Sequence, residues 1–242
     1  MNATLRYLHL TLPTIAENLA LDEALLCQAE EADTDGVLRI WQWPEPAVVL
    51  GASSRLAAEV DEQSCRRDHV PLCRRSSGGA AVLLDHGCLV FALILNYCDH
   101  PALAQVRSSY QYILGQMKAA LDDLVPGLAL AGASDLVIGD RKFSGNSQQR
   151  KRRWLLHHGT ILYDFDTRKV ARYLKSPPRQ PEYRRRRNHE DFLINLSAQE
   201  QDIIYRLRHQ WQACHEIRDY PDSLVQRLVQ EKYETDAWIC RH

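Results

Sequence analysis

Three short segments of this 242-residue chain combine residue types that chemistry can use. The first is Arg74-Arg75-Ser76-Ser77-Gly78-Gly79-Ala80-Ala81-Val82, followed by Asp85 and Gly87. Small residues between two strand-like runs let a ligand approach the backbone, and N–H groups beside arginines can hold an anion. A tight turn with two surface arginines has the same composition, so the residues alone leave both readings open. The spacing fits neither G-x-G-x-x-G nor the P-loop. The second segment runs from Asp135 across Gly139-Asp140 to Lys142, Phe143, Ser144, Gly145, Asn146, Ser147 and Gln148. A lysine just past a hairpin turn can bridge a carboxylate and a phosphate and offset charge that develops between them. A solvated lysine on an exposed hairpin is the alternative. The third is His157-His158-Gly159-Thr160. Alternation along a strand sends the two imidazoles to opposite faces, which argues against a shared metal.

These segments need elements to hold them. Thr14-Ile-Ala-Glu17 after Pro13 reads as a capping box opening a helix to about Glu30, with Leu19, Leu25 and Leu26 inward. Residues 37–43 and 47–51 read as strands broken at Pro44-Glu45-Pro46, and 72–75, 80–84 and 89–96 as further strands. The run from Leu89 to Leu95 is apolar on both faces and belongs at the centre of a sheet. Val106, Tyr110, Ile113, Met117, Leu121 and Leu124 recur at helical spacing, and Pro126-Gly127 ends that helix. Asp135–Ile138 and Arg141–Ser144 flank a two-residue turn, and Trp154–Tyr163 forms another strand. A short helix over 167–175, a charged loop over 176–191, a helix from the Ser197–Glu200 box to about Ile217 and a last helix over 222–233 complete the chain. Hairpins without regular βα alternation predict an α+β fold with a mixed, largely antiparallel sheet flanked by helices, in one domain over 1–242.

Composition removes several classes. Apolar residues at 45% and charged residues at 25% are ordinary globular values. No apolar run approaches the length of a membrane span, and the N-terminus lacks the pattern of a secretory signal. Seven scattered cysteines without C-x-x-C argue against a disulfide framework or zinc knuckle and fit a reducing cytoplasm. The net charge of −1 is a cancellation. Residues 141–187 hold 15 Lys/Arg against 3 Asp/Glu, a local +12, whereas 1–140 carry −9 and 188–242 carry −4. Such a block invites a phosphate, a nucleic acid or an acidic protein. The basic runs Arg150–Arg153 and Arg184–Arg187 bring no recognition helix or aromatic RNA-binding motif with them, which disfavours nucleic acid.

Taken in order, the three segments resemble the catalytic domain of lipoate–protein ligases, within the biotin/lipoate ligase and lipoyl(octanoyl) transferase superfamily. The likeness begins at Asn18-Leu-Ala-Leu-Asp22-Glu23 and runs to Tyr233-Glu-Thr-Asp-Ala-Trp238. It implies a class II synthetase/biotin ligase-like fold. It also implies a two-step reaction in which lipoate or octanoate is activated with ATP and Mg2+ to acyl-AMP and passed to a lysine of an acceptor lipoyl domain. On this resemblance Lys142 is catalytic. Arg74, Arg75, Ser76, Ser77, Gly78, Gly79, Ala80, Asp85, Ser144, Gly145, His158, Gly159 and Thr160 bind the acyl-adenylate, and Asp135 lies near the nucleotide or magnesium. No protein cluster for a metal is expected. The family's third turn glycine is Ala80 here, its usual histidine before Asp85 is Leu84, and Ser54 and Ser134 replace a common Gln and Asn. An accessory domain that commonly follows is expected to be absent or a separate polypeptide. The implied partner is an acidic lipoyl-type acceptor meeting the basic block, with neither membrane nor nucleic acid. The rival is an acyltransferase of the same fold acting without ATP. Its cysteine-dependent form is disfavoured, because Val125–Asp135 holds no cysteine. Biotin ligation is disfavoured by the missing Gly-Arg-Gly-Arg-type loop.

Overall fold

The computed structural model describes residues 4–32 and 34–242; residues 1–3, which open the segment read above for a secretory signal, lie outside it. Its strands are β1 (Arg6–His9), β2 (Val37–Gln42), β3 (Ala47–Leu50), β4 (Leu72–Arg74), β5 (Val82–Leu84), β6 (Cys88–Asn96), β7 (Leu128–Ala131), β8 (Asp135–Ile138), β9 (Arg141–Arg150), β10 (Trp154–Leu162) and β11 (His215–Glu216). Four longer helices are α1 (Ile15–Ala32), α2 (Val106–Leu121), α3 (Glu200–Gln210) and α4 (Asp222–Leu228). Eight strands form one sheet in the order β11-β1-β2-β6-β10-β9-β8-β7, and β4-β3-β5 form a second. β1 runs parallel to β2 and β11, and β3 to β4; the other pairings are antiparallel. The mixed α+β class expected from the sequence is the one observed.

β6 sits inside the large sheet, and its alternation divides the molecule into two cores. Val90, Ala92 and Ile94 join one core with α1, α4 and the small sheet. Leu89, Phe91, Leu93 and Leu95 join the other with α2 and α3. The capping box at Thr14 is formed: the Glu17 carboxylate accepts from the Thr14 N–H at 2.9 Å and the Thr14 hydroxyl accepts from the Glu17 N–H at 3.1 Å. Twelve of the 18 residues of α1 are buried, including Asn18, Asp22 and Glu23, because the helix lies between the sheet and α4. No described helix is long and apolar enough to cross a membrane.

Several expectations change, and the stretch read as a charged loop over 176–191 carries a 3-10 turn at Glu182–Arg184 and the start of a short helix at His189–Phe192. α3 starts at Glu200 without a side-chain cap from Ser197 and stops at Gln210 rather than near Ile217. Gln212 takes a left-handed φ of 49°, and the chain turns to lay His215–Glu216 beside β1. β9 runs on past Ser144 to Arg150 because every residue from Ser144 to Arg150 has a partner on β10. The last helix is α-helical only to Leu228 and then widens into a π-turn over Val229–Tyr233.

The two histidines of β10 do face apart. His157 packs in the second core beside Phe91 and Tyr110. Its Nδ1 lies 3.0 Å from Gln148 Nε2 and its Nε2 lies 3.3 Å from Asn146 Oδ1. Burial pushes this imidazole down to about 3, so the folded protein keeps it neutral. An unfolded histidine protonates near 6.5, so below that pH the unfolded state binds the extra proton and stability falls as pH drops toward 3. The slope approaches about 1.4 kcal/mol per pH unit. Urea unfolding at pH 6.5 and pH 5 checks this: the native chain is expected to lose about 1.6 kcal/mol more than His157→Gln between the two.

Candidate active site

β8, β9 and β10 carry most of the site on one face. Asp135 opens β8 opposite Gly145 of β9. Lys142 Nζ lies 2.7 Å from Asp135 Oδ1 and rests over Gly145. A Cβ on Gly145 would sit 2.5 Å from that nitrogen, so glycine is what gives the amine its seat. The other Asp135 oxygen accepts from the Tyr183 hydroxyl at 2.7 Å. Burial and the adjacent Asp135 charge push the Tyr183 phenol well above its ordinary range, which keeps it a donor.

The glycine-rich turn between β4 and β5 closes over this face. Gly79 adopts φ of +91°, a left-handed value suited to glycine. Its carbonyl passes Gly51 so closely that a Cβ there would lie 1.9 Å away. Arg75 holds the turn from within, donating to Val49 O, Gly78 O and Ala80 O at 3.2, 2.6 and 3.0 Å and to Ser77 Oγ at 3.1 Å. Buried without a carboxylate at hydrogen-bond distance, its guanidinium is pushed down to about 10 by burial and stays cationic at neutral pH. Ser77 Oγ lies 2.7 Å from Ser147 Oγ and 2.5 Å from His158 Nε2, and His158 Nδ1 lies 3.2 Å from Asp22 Oδ2.

Of the residues singled out from the sequence, Arg75, Gly79, Ala80, Asp135, Lys142, Ser144, Gly145, His158, Gly159 and Thr160 line one pocket. Arg74 sits behind it, fully buried, donating to Gly51 O, Ser54 O and Ile239 O. Ser76 bonds Gln149, Ser77 lies beneath Ser147, and Gly78 contributes its carbonyl to Arg75. Asp85 is placed elsewhere: it pairs with Lys169 at 2.5 Å and accepts from its neighbour's N–H, away from the lining. Leu84, standing where the family has histidine, lines the pocket. Ser54 bonds both Glu59 and the Gly79 carbonyl, and the Ser134 carbonyl accepts twice from Asn146.

The lining is of two kinds. Leu19, Trp41, Val90, Leu162 and Phe165 are apolar and buried. Lys175 and Arg179, both exposed, and the buried Arg184 are basic. The pocket can take a molecule with an apolar tail and an anionic head. No cysteine is among the lining residues. Among the described residues no group of three His, Cys, Asp or Glu is placed to hold a metal ion, and both Asp135 oxygens are already engaged. Asp22 and Ser147 lay inside recognisable motifs without an assigned role. Trp41, Glu59 and Tyr183 reach the site only through tertiary contact and left no local signal.

The basic block divides. Arg184 is buried, its Nε donating to Arg187 O and its guanidinium stacked on Phe192; Arg187 pairs with Asp140 at 3.1 Å. Arg185 and Arg186 between them are exposed, with left-handed φ of 51° and 58°. Arg150 and Arg153 are committed at the other end of β9, to Leu103 O and Glu30.

A family model for the lipoyl protein ligase A/B catalytic domain matches residues 14–205, and the chain belongs to that family. It is 26% identical over 265 residues to the octanoyltransferase LipM of Clostridioides difficile, spanning 92% of this chain and 93% of that protein. It is 27% identical over 231 residues to the protein named "Probable lipoate-protein ligase A" of Mycoplasma pneumoniae, spanning 91% of this chain and 67% of that one. Among solved structures it resembles a bi-partite lipoate protein ligase studied with its E2 lipoyl domain from Thermoplasma acidophilum. The TM-score is 0.83 at 21% identity, over 98% of this chain and 96% of the other, a likeness of fold.

Gly145→Ala tests the seat of Lys142. The atom it displaces is the far end of a flexible side chain, so the melting temperature is expected to hold within about 3 °C. Acyl transfer to an acceptor lysine is expected to drop at least about tenfold, because the amine leaves its position.

Proposed function

We propose that this protein is an ATP-dependent lipoate–protein ligase: it activates lipoate or octanoate to acyl-AMP and passes the acyl group to a lysine of a lipoyl-type acceptor domain. The carrying observation is Lys142, an ammonium at the wall of a pocket lined by both buried apolar side chains and basic ones. In the first step the acid's carboxylate oxygen attacks the α-phosphorus of ATP and pyrophosphate leaves. In the second the acceptor amine attacks the acyl carbon and AMP leaves. Both build negative charge on phosphoryl or carbonyl oxygen, and a fixed cation can serve both. Asp135 keeps Lys142 aimed before the substrate arrives. Magnesium would come on the triphosphate, since the described residues offer no cage of three His, Cys, Asp or Glu.

The names of the relatives support this class of reaction, and the neighbour's E2 lipoyl domain supports a lipoyl domain as acceptor. That neighbour's bi-partite make-up also suggests a separate accessory polypeptide as a second partner. The setting is the cytoplasm, in keeping with seven free thiols. A second reading, acyl transfer from a carrier without ATP, is favoured by the octanoyltransferase relative. With no cysteine in the lining, such a transfer would not pass through a pocket thioester.

The deciding measurement is ATP–pyrophosphate exchange dependent on octanoate or lipoate, beside the mass gain of a lipoyl domain. Exchange and mass gain are both expected, and Lys142→Ala is expected to lower each about 100-fold or more while the fold is kept. Acceptor modification from an octanoyl carrier, without any acid-dependent exchange, would establish the second reading instead.

Arg185 and Arg186 give the acceptor an exposed cationic rim. Charge reversal at both is expected to raise KM for an acidic acceptor about tenfold at low salt, with the difference shrinking at 0.5 M salt. Indifference to both changes would remove the docking role and leave the chemistry standing.

A further inference from the structure

We infer that Ser147, Ser77, His158 and Asp22 form a proton relay that removes the proton of the attacking amine, an inference that rests on the reading of this pocket as a lysine-acylating site. The hydrogen bonds along the chain admit one orientation in which every proton points inward, and the relay uses it. Asp22 can only accept: Arg39 Nη1 lies 2.5 Å from its Oδ1, and both side chains are buried. His158 Nδ1, 3.2 Å from the other carboxylate oxygen, therefore carries a hydrogen. The relay takes Nε2 as its acceptor, with the Ser77 hydroxyl 2.5 Å away donating to it. Ser77 is then left with acceptor capacity alone. Arg75 Nε, which can only donate, takes one lone pair at 3.1 Å, and the Ser147 hydroxyl at 2.7 Å takes the other.

In that orientation Ser147 points its proton inward and its lone pairs into the pocket it lines. It stands directly opposite His158 across β9 and β10. It lies two residues along β9 from Gly145, where the Lys142 amine rests, a span of about 7 Å along the strand. A cation and a hydrogen-bond acceptor therefore face the same reacting group from its two sides.

The step balances within the chain. The amine nitrogen bonds the acyl carbon, and the bond from that carbon to the leaving oxygen breaks, its electron pair departing with the phosphate. The nitrogen's proton moves to Ser147 Oγ, the Ser147 proton to Ser77 Oγ, and the Ser77 proton to His158 Nε2. The resulting imidazolium is held by Asp22. With both ring nitrogens now donors, Ser77 turns to donate to Ser147 and Ser147 toward the pocket, and the proton leaves by the same route to water or to the departing product.

The test separates the two half-reactions in the full-length protein. Transfer from prepared octanoyl-AMP to a lipoyl-domain lysine is measured beside octanoate-dependent ATP–pyrophosphate exchange. Only the first releases an amine proton. In Ser147→Ala the ratio of transfer to exchange is expected to fall at least about 30-fold, and Ser147→Thr, which keeps the hydroxyl, is expected to restore most of it. Ser77→Ala and His158→Gln are expected to act in the same direction. If His158→Gln does not fold, Ser147→Ala decides alone, because it leaves Ser77, His158 and Asp22 in place. A solvent deuterium series should give a curved dependence of transfer in the native chain and a straight one in Ser147→Ala. An equal fall in both half-reactions, or no fall in transfer, overturns the relay. A native protein that transfers from octanoyl-AMP yet shows no exchange overturns the ligase reading and leaves the relay standing.

Discussion

The buried ion pair between Asp22 and Arg39 fixes the arrangement from which the site is built. Arg39, on β2, spends its guanidinium on α1: on Asp22, on the carbonyl and side chain of Asn18, and on the Leu10 carbonyl that leads into the helix. Burial opposes the charge on Asp22, but Arg39 and the hydrogen bond from His158 outweigh it and hold the carboxyl below its usual range. One side chain thereby joins α1, β2 and β10. Removing either partner would leave an uncompensated charge in the core, a cost of about 3–5 kcal/mol.

A second brace holds the glycine-rich turn from outside. Arg74 donates to carbonyls of the 51–54 turn and to Ile239, while the Trp238 indole N–H donates to the Arg74 carbonyl at 2.8 Å. The π-turn that ends α4 brings two consecutive side chains, Lys232 and Tyr233, onto Glu23 of α1 at 2.7 Å each. Wide turns of this sort gather at functional positions. Here it anchors the C-terminal segment to α1, and Gln149 ties the same carboxylate to β9. The turn is gripped by residues more than 150 positions away.

What was legible in the sequence was whatever a local rule encodes. The unbroken apolar run of β6 announced a strand with two buried faces, and adjacent histidines announced opposite environments. The Thr14 box and the hairpin at Gly139-Asp140 formed as their spacing required. β1, β7 and β11 have four, four and two residues, too few for a period to show, and exist because a neighbouring strand offers a partner. The Ser197 box failed because the chain there is bound to Leu162 by the Leu196 N–H and starts its helix later. The site was legible where family motifs carried it and silent where geometry did. Nothing near Tyr183 in sequence points to Asp135, and nothing near Asp85 predicts that Lys169 holds it.

Tyr183 also ties the pocket to its outer surface. Its hydroxyl bonds Asp135 inside, while Arg185 and Arg186, two and three residues later, face solvent in a left-handed turn. Arg184 and Arg187 clamp both ends of that turn to Phe192 and Asp140. One short stretch of chain thus holds a hydrogen bond to the pocket's aspartate and, within three residues, carries the exposed cations of the rim.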